Sequence, residues 1–182
     1  MRIAILGRGN VGGGLAAFWE KAGHEVTAFG RDGGDASAAD VVVVAVPSGS
    51  IKEAFGKVTG FEGKPAIDTT NAFTGRDESF PSLADEVKSI TGGPVAKAFN
   101  VNFANAYDDV ASQRVPPSQL WCGDDEVREV TEQLIRDVGY EPVAAGGLQN
   151  ARALEDFVMP FAAASESAGG PLFYRIAKPG EL

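Results

Sequence analysis

Short apolar runs alternate with amphipathic stretches along this chain. Residues 3–6 form the first run and residues 25–29 the second. Between them Leu15, Ala16, Phe18, Trp19 and Ala22 recur at helical spacing, which predicts a helix over residues 10–22 stopped by Gly23. Residues 41–46 are five valines and one alanine without alternation, the pattern of a central strand buried on both faces. Pro47, Ser48 and Gly49 end that run, and Ser50 caps a helix predicted over 51–58. Further strands are predicted at 65–68, 94–98, 119–122 and 141–144, with helices at 81–90, 99–110 and 124–137. Residues 30–40 and 71–79 read as connections rich in turn-forming side chains.

Strand–helix repetition of this kind predicts an α/β fold: a doubly wound, mainly parallel sheet with right-handed crossovers, in one domain spanning residues 1–182. Leu148, Ala151, Leu154, Phe157, Val158, Phe161 and Ala162 then predict a last amphipathic helix. Pro160 is expected to kink it or end its regular hydrogen bonding. Beyond Gly169, Gly170 and Pro171, residues 172–176 read as a short strand or an extended arm.

The turn after the first run carries the chemistry. Gly7-Arg8-Gly9-Asn10-Val11-Gly12 is a G-x-G-x-x-G at a strand-to-helix junction. In that context Gly7 permits the tight turn, Gly9 lets the backbone approach a pyrophosphate, and Gly12 lets the helix pack against the strand. The helix N-terminus adds unpaired N–H groups and a partial positive charge. The expected ligand is therefore a dinucleotide, and the end of the second run selects which one. NAD-binding chains place an acidic residue there for the ribose hydroxyls, whereas here Phe29 is followed by Gly30 and Arg31. A guanidinium can fork onto a 2′-phosphate that a carboxylate would repel, so NADP(H) is expected. Asp32 next door keeps a NAD reading open, and Arg8 either adds positive potential near the phosphates or points to solvent.

Other polar groups gather where this topology opens its strand ends to ligand. Val46 ends the third predicted strand and Pro47, Ser48 and Ser50 follow it, while Asp68, Thr69, Thr70 and Asn71 stand at the end of the fourth. Lys97, Ala98 and Asn100 bracket the end of the fifth. Val46, Pro47, Ser48, Thr70 and Ala98 are candidate cofactor contacts, while Asn71, Lys97 and Asn100 are candidate substrate contacts. Each also has a plain structural reading as a cap or turn former, and the Lys97 stem could simply snorkel past the sheet edge. The only histidine, His24, falls in a turn away from those strand ends, and no carboxylate–histidine or lysine–tyrosine pair stands out, so no catalytic residue is assigned. No G-x-S-x-G and no P-loop lysine motif is present, which sets aside a hydrolase or nucleotide-triphosphatase reading. This pattern suits hydride transfer between two redox carriers, for which the protein supplies positioning.

Composition narrows the partners. Twenty-five acidic against 16 basic residues give a net charge of −9, which argues against a nucleic-acid or anionic membrane surface. Cys122 stands alone, so neither an intrachain disulfide nor a cysteine metal cluster is expected. The first strand begins at once and no apolar run reaches membrane-spanning length, so a cytoplasmic location is expected.

Taken in order, the motifs resemble a known family. Gly7-Arg8-Gly9-Asn10-Val11-Gly12, Val46-Pro47, Asp68-Thr69-Thr70-Asn71, Lys97-Ala98-Phe99-Asn100 and Gly147-Leu148-Gln149-Asn150-Ala151-Arg152 span nearly the whole chain. Together they look like the NADP oxidoreductases dependent on the deazaflavin coenzyme F420, with their bacterial relatives of unassigned substrate. The resemblance implies a Rossmann domain, NADP at residues 7–12 and at Gly30-Arg31, and nicotinamide near Val46-Pro47. It also implies a small-molecule acceptor, coenzyme F420 or a flavin, stacked on the nicotinamide, and a homodimer. Phe157, Phe161, Phe173 and Tyr174 could close that interface or pack on the monomer's own sheet. A non-catalytic NADP-binding sensor and a reductase of small carbonyls or imines remain the alternatives.

Overall fold

In the computed structural model, which describes residues 1–181, the valine run lies inside a seven-stranded sheet. The strands are β1 (Arg2–Leu6), β2 (Glu25–Phe29), β4 (Val41–Val44), β6 (Ala66–Asp68), β7 (Val95–Lys97), β8 (Ser118–Gly123) and β9 (Glu141–Ala144). Their order across the sheet is β2-β1-β4-β6-β7-β8-β9. Two-residue strands β3 (Gly34–Asp35) and β5 (Val58–Thr59) form a separate parallel ladder that the sequence pattern does not announce.

Side chains alternate between two cores, which explains why β1 and β4 lack polar alternation. Ile3, Ile5, Val41 and Val43 face α1 (Asn10–Lys21) and α4 (Arg128–Val138). Ala4, Leu6, Val42 and Val44 face α2 (Ile51–Phe55), α3 (Leu83–Thr91) and α5 (Ala151–Ser167). Trp19 on α1 is fully buried and donates its indole N–H to Leu134 O of α4 at 3.0 Å. The α/β sandwich with a C-terminal helix is thus the expected fold class.

The strands from β2 to β7 run parallel, but β8 pairs antiparallel with β7 at Ala96–Gly123 and Lys97–Cys122. The reversal follows from a missing crossover helix. Residues 99–110 do not form the predicted α-helix: Phe99 takes a positive φ of 60°, and only a 3₁₀ stretch, Ala104–Ser112, follows. Asn102 ties the intervening chain to β8, donating to Ser118 O at 3.1 Å and to Gln119 Oε1 at 2.7 Å.

Three boundaries also differ from expectation. α2 stops at Phe55, and Val58 enters β5 instead. α3 starts at Leu83, where Ser82 Oγ accepts from Asp85 N at 3.0 Å as a side-chain cap. α5 continues past Pro160 to Ser167; Pro160 and Asp156, whose carbonyl loses its intrahelical donor, are both exposed, so water can serve that carbonyl. Residues 172–176 form an arm, not a strand. It covers the β8 edge that β7 leaves open, with Ser118 N donating to Tyr174 O and Leu120 N to Tyr174 Oη, both at 2.8 Å. Among the described residues no helix is long and apolar enough to cross a membrane.

Candidate functional site: a cationic cleft at the first strand-to-helix turn

β1 delivers the chain to Gly7, which has φ +112°, a conformation that side chains rarely adopt. Its N–H donates to Phe29 O at 3.0 Å, and a Cβ there would strike Ala45 O. Gly12, in the first turn of α1, leaves its Cα packed on Gly7 O, with Ala45 Cβ 3.2 Å from where its own Cβ would stand. Gly9 differs from both. Its φ −76° and ψ −167° suit any residue, and a Cβ on it would meet nothing within 4 Å. The open space belongs to a cleft of about 280 Å³ that Gly9 lines. Gly9 is also the N-cap of α1, with no side-chain cap and no acidic residue in the first turn. The orphan N–H groups of that turn are therefore open to water or to an external anion.

Across the cleft, Gly33 N donates to Gly30 O at 3.1 Å and closes a β-turn with Arg31 and Asp32 at its corners. Arg31 lines the cleft; Asp32 does not. Arg8 reaches over from the glycine turn and lays its guanidinium on Gly30, where a Cβ would collide with it. From α2 and its C-terminal end come Glu53 and Lys57, with Lys57 Nζ donating to Glu53 Oε1 at 2.7 Å. The Lys57 hydrogen bond and charge, with Arg31 behind them, hold the Glu53 carboxyl below its ordinary range.

The sequence-predicted contacts therefore divide. Gly7, Arg8, Gly9, Gly30, Arg31, Val46 and Pro47 line the cleft. Asn10, Val11 and Gly12 form the first turn of α1. Ser48, Thr70 and Ala98 lie outside it, buried at the C-terminal end of the sheet. Ser48 Oγ donates to Gly75 O at 2.6 Å and meets Thr74 Oγ1 at 2.8 Å, which pins the 72–75 turn to the end of β4. Thr70 N donates to Asp68 Oδ1 at 2.9 Å, and Ala98 N to Asp68 O at 3.1 Å.

The structure brings Asn71 and Asn100 together. Asn71 Nδ2 donates to Asn100 O at 2.6 Å, and Asn100 Nδ2 to Asn71 Oδ1 at 3.0 Å and Leu154 O at 2.8 Å. Lys97 is fully buried beneath them and does not reach the cleft or the sheet edge. Its Nζ donates to Thr70 O at 2.6 Å and pairs with Asp68 Oδ2 at 2.7 Å and Glu155 Oε1 at 3.2 Å. Glu155 also accepts from Leu83 N at 2.9 Å, and its second oxygen lies 3.7 Å from Arg76. Burial raises the Glu155 carboxyl above its ordinary range; Lys97 opposes the shift and Asp68 adds to it.

Glu53, Lys57, Arg76 and Glu155 carry no motif, and sequence reasoning misses them. Two signals were present. Glu53 and Lys57 stand at i, i+4, the spacing of a helical ion pair. Glu155 interrupts the apolar stripe of α5 as Lys97 interrupts the apolar run of β7, and charges buried in separate apolar segments need each other. His24 stands at the other end of the strands, 2.7 Å from Asp137 Oδ2. Burial pushes the Cys122 thiol up to about 12, which removes thiolate chemistry near neutral pH.

No protein-family model matches the chain, and no curated protein matches it in sequence. Among solved structures it is similar to a protein from Arthrobacter sp. FB24 provisionally described as an F420-dependent NADP-reductase. The two are 21% identical over 97% of this chain and 99% of that one, with a TM-score of 0.82. A hypothetical protein from Sinorhizobium meliloti is 24% identical over 81% of this chain and 85% of its own, with a TM-score of 0.62. A reductive aminase from Aspergillus terreus, solved with NADPH and ethyl levulinate, is 14% identical over 92% of this chain, with a TM-score of 0.66. This chain spans 62% of that enzyme's length. At these identities the likeness establishes a Rossmann-type fold.

Proposed function

We propose that this chain is an NADP(H)-dependent oxidoreductase that passes hydride between the nicotinamide and a second planar carrier, a deazaflavin of the F420 type or a flavin. The observation that carries the reading is the Arg8 guanidinium laid over Gly30 with Arg31 lining the same cleft, where a NAD-binding chain would hold a carboxylate. The glycine turn fits the same ligand: Gly9 faces open space and the α1 N-terminus is uncapped. When bound, the nicotinamide supplies the hydride chemistry itself. The residues of this chain bind and orient it: the first turn of α1 takes the pyrophosphate, and Arg31 with Arg8 takes the 2′-phosphate. Ser48, Asn71, Lys97 and Asn100 are all engaged in internal hydrogen bonds, which favours a positioning role over proton transfer to a carbonyl or imine product. The descriptions of the Arthrobacter and Aspergillus proteins, as an NADP-reductase and as an enzyme solved with NADPH, support the cofactor.

The test is to incubate the protein with NADPH and follow nicotinamide absorbance against F420, flavins, ketones and imines. Oxidation with the deazaflavin or a flavin is the expected result. Turnover of ketones or imines alone overturns the acceptor, tight binding without turnover overturns the enzyme in favour of a sensor, and absence of dinucleotide binding overturns the whole reading. Arg31→Ala is expected to weaken NADPH roughly ten- to a hundredfold, because a hydrogen bond to a charged group contributes about 1.5–3 kcal/mol and 1.4 kcal/mol is a factor of ten. NADH, which lacks the phosphate, should change by less than about threefold. Because Arg31 is exposed, the difference is expected to shrink at high salt. Arg8 remains in Arg31→Ala, so the double variant Arg8→Ala/Arg31→Ala should lose more of the preference for NADPH than Arg31→Ala alone. Equal weakening of both dinucleotides in Arg31→Ala would make Arg31 a support of the turn instead.

A further inference from the structure

We propose that Lys57 reads the 2′-phosphate of the dinucleotide together with Arg31 and Arg8, and that Glu53 is a built-in competitor for those cations that sets the affinity for NADP(H). This rests on the NADP(H) reading above and adds to it two residues that carry no fingerprint.

The small β3–β5 ladder is what brings Lys57 to the site. Gly34 N donates to Lys57 O at 3.1 Å, and Gly34 pairs with Val58 in parallel register. Gly33, at φ +72°, packs its Cα against Lys57 O so closely that no side chain would fit between them. The C-terminal end of α2 is thereby clamped by backbone contacts to the same turn that carries Arg31. Lys57 consequently lines the cleft beside Arg31 and Gly30, although it lies 26 positions further along the chain than Arg31. The glycines at 33 and 34 acquire a reason: Phe29 fills the space where a Cβ on Gly34 would stand, and Lys57 O fills it at Gly33.

Lys57 spends one of its three ammonium protons on Glu53 at 2.7 Å, across side chains that are 41% and 69% exposed. An exposed i, i+4 pair is weak, so the ammonium can exchange a single carboxylate for a phosphate dianion at little cost. Glu53 is the only carboxylate lining the cleft among the described residues, and it faces the cations that a phosphate would use. Its negative charge must repel that phosphate while Arg31 and Arg8 attract it. The arrangement gives selectivity for the phosphorylated dinucleotide without locking it in place, as suits a cofactor that must leave after each turnover.

The experiment compares NADPH with NADH, and adenosine 2′,5′-bisphosphate with adenosine 5′-monophosphate, by titration against the wild type, Lys57→Met, Lys57→Arg and Glu53→Gln. Both side chains are exposed, so thermal melting serves only as a check that each variant is folded. Lys57→Met should weaken NADPH and the bisphosphate about tenfold and leave NADH and the monophosphate within about twofold, while Lys57→Arg keeps most of the affinity. Glu53→Gln should tighten NADPH and the bisphosphate about threefold and leave the unphosphorylated pair unchanged. Lys57→Met weakening all four ligands alike, or none, overturns Lys57 as a phosphate reader. Glu53→Gln with unchanged or weaker NADPH binding overturns Glu53 as a competitor. Wild-type protein that binds NADPH normally while either variant fails these expectations sinks this proposal alone. Wild-type protein that binds neither dinucleotide overturns it together with the reading beneath it.

Discussion

Gly9→Val is expected to abolish NADP(H) binding while the protein melts within about 2 °C of the wild type. The two effects separate because of where Gly9 stands. Its backbone lies in an extended region open to every residue, and its missing Cβ points into the cleft with nothing within 4 Å. Valine there loses no internal contact and fills the space through which a pyrophosphate must approach the α1 N-terminus. Gly12→Val, three residues on, should do different damage. Its side chain has to displace Gly7 O and press on Ala45 Cβ, both parts of the closely packed β1–α1–β4 junction. Overpacking of that kind costs about 3 kcal/mol, or roughly 6–12 °C in melting temperature at this chain length. Thermal melts and NADPH titrations on both variants distinguish the roles. Unchanged NADPH affinity in Gly9→Val would show that the dinucleotide does not lie at this turn, and a stable Gly12→Val would show that the junction is looser than its contacts imply.

Those parts of the fold with a strong apolar pattern were readable from residues alone. The valine run of β4 and the Leu15–Trp19 spacing of α1 leave no competing interpretation, and their junction carries a motif whose glycines have distinct steric duties. The Phe99–Val110 segment was misleading because its apolar spacing is helical, while a tertiary demand overrides it. Phe99 must turn to positive φ so that Asn102 can reach β8, and no local pattern encodes that partner. The β3–β5 ladder was invisible for the opposite reason. Two-residue strands have no period, and Gly33-Gly34 reads as loop until Lys57 O is seen against it. At the site, the arginines at 8 and 31 could be named from the motif. That Arg8 lays its guanidinium over Gly30 could not, since a side-chain direction across a turn is a property of the folded chain.

Lys97 shows how a polar residue near a predicted ligand end can belong to the core. Lys97→Met is expected to destabilise the protein by about 3–5 kcal/mol, because removing one partner from a buried ionic cluster leaves charge without compensation. For a chain of this length that is roughly 6–20 °C in melting temperature. The lysine stands between two fully buried carboxylates, Asp68 at 2.7 Å and Glu155 at 3.2 Å, and the next cation is Arg76, 3.7 Å from the other oxygen of Glu155. The loss should depend on pH in a definite sense. Burial already raises the Glu155 carboxyl above its unfolded value, with Lys97 the main opposing influence, so the variant raises it further. A carboxyl raised on folding binds more protons in the folded state, so its contribution is present at low pH and is lost as pH rises through the folded value. Lys97→Met should therefore melt nearest the wild type at mildly acidic pH and fall progressively behind as the solution becomes neutral. Glu155→Gln added to it removes one of the stranded charges and retains an acceptor for Leu83 N, so the double variant should recover stability and lose most of the pH dependence. Additive losses in that double variant, or a Lys97→Met deficit that is flat with pH, would mean that Lys97 and Glu155 are not the coupled pair that their 3.2 Å contact describes.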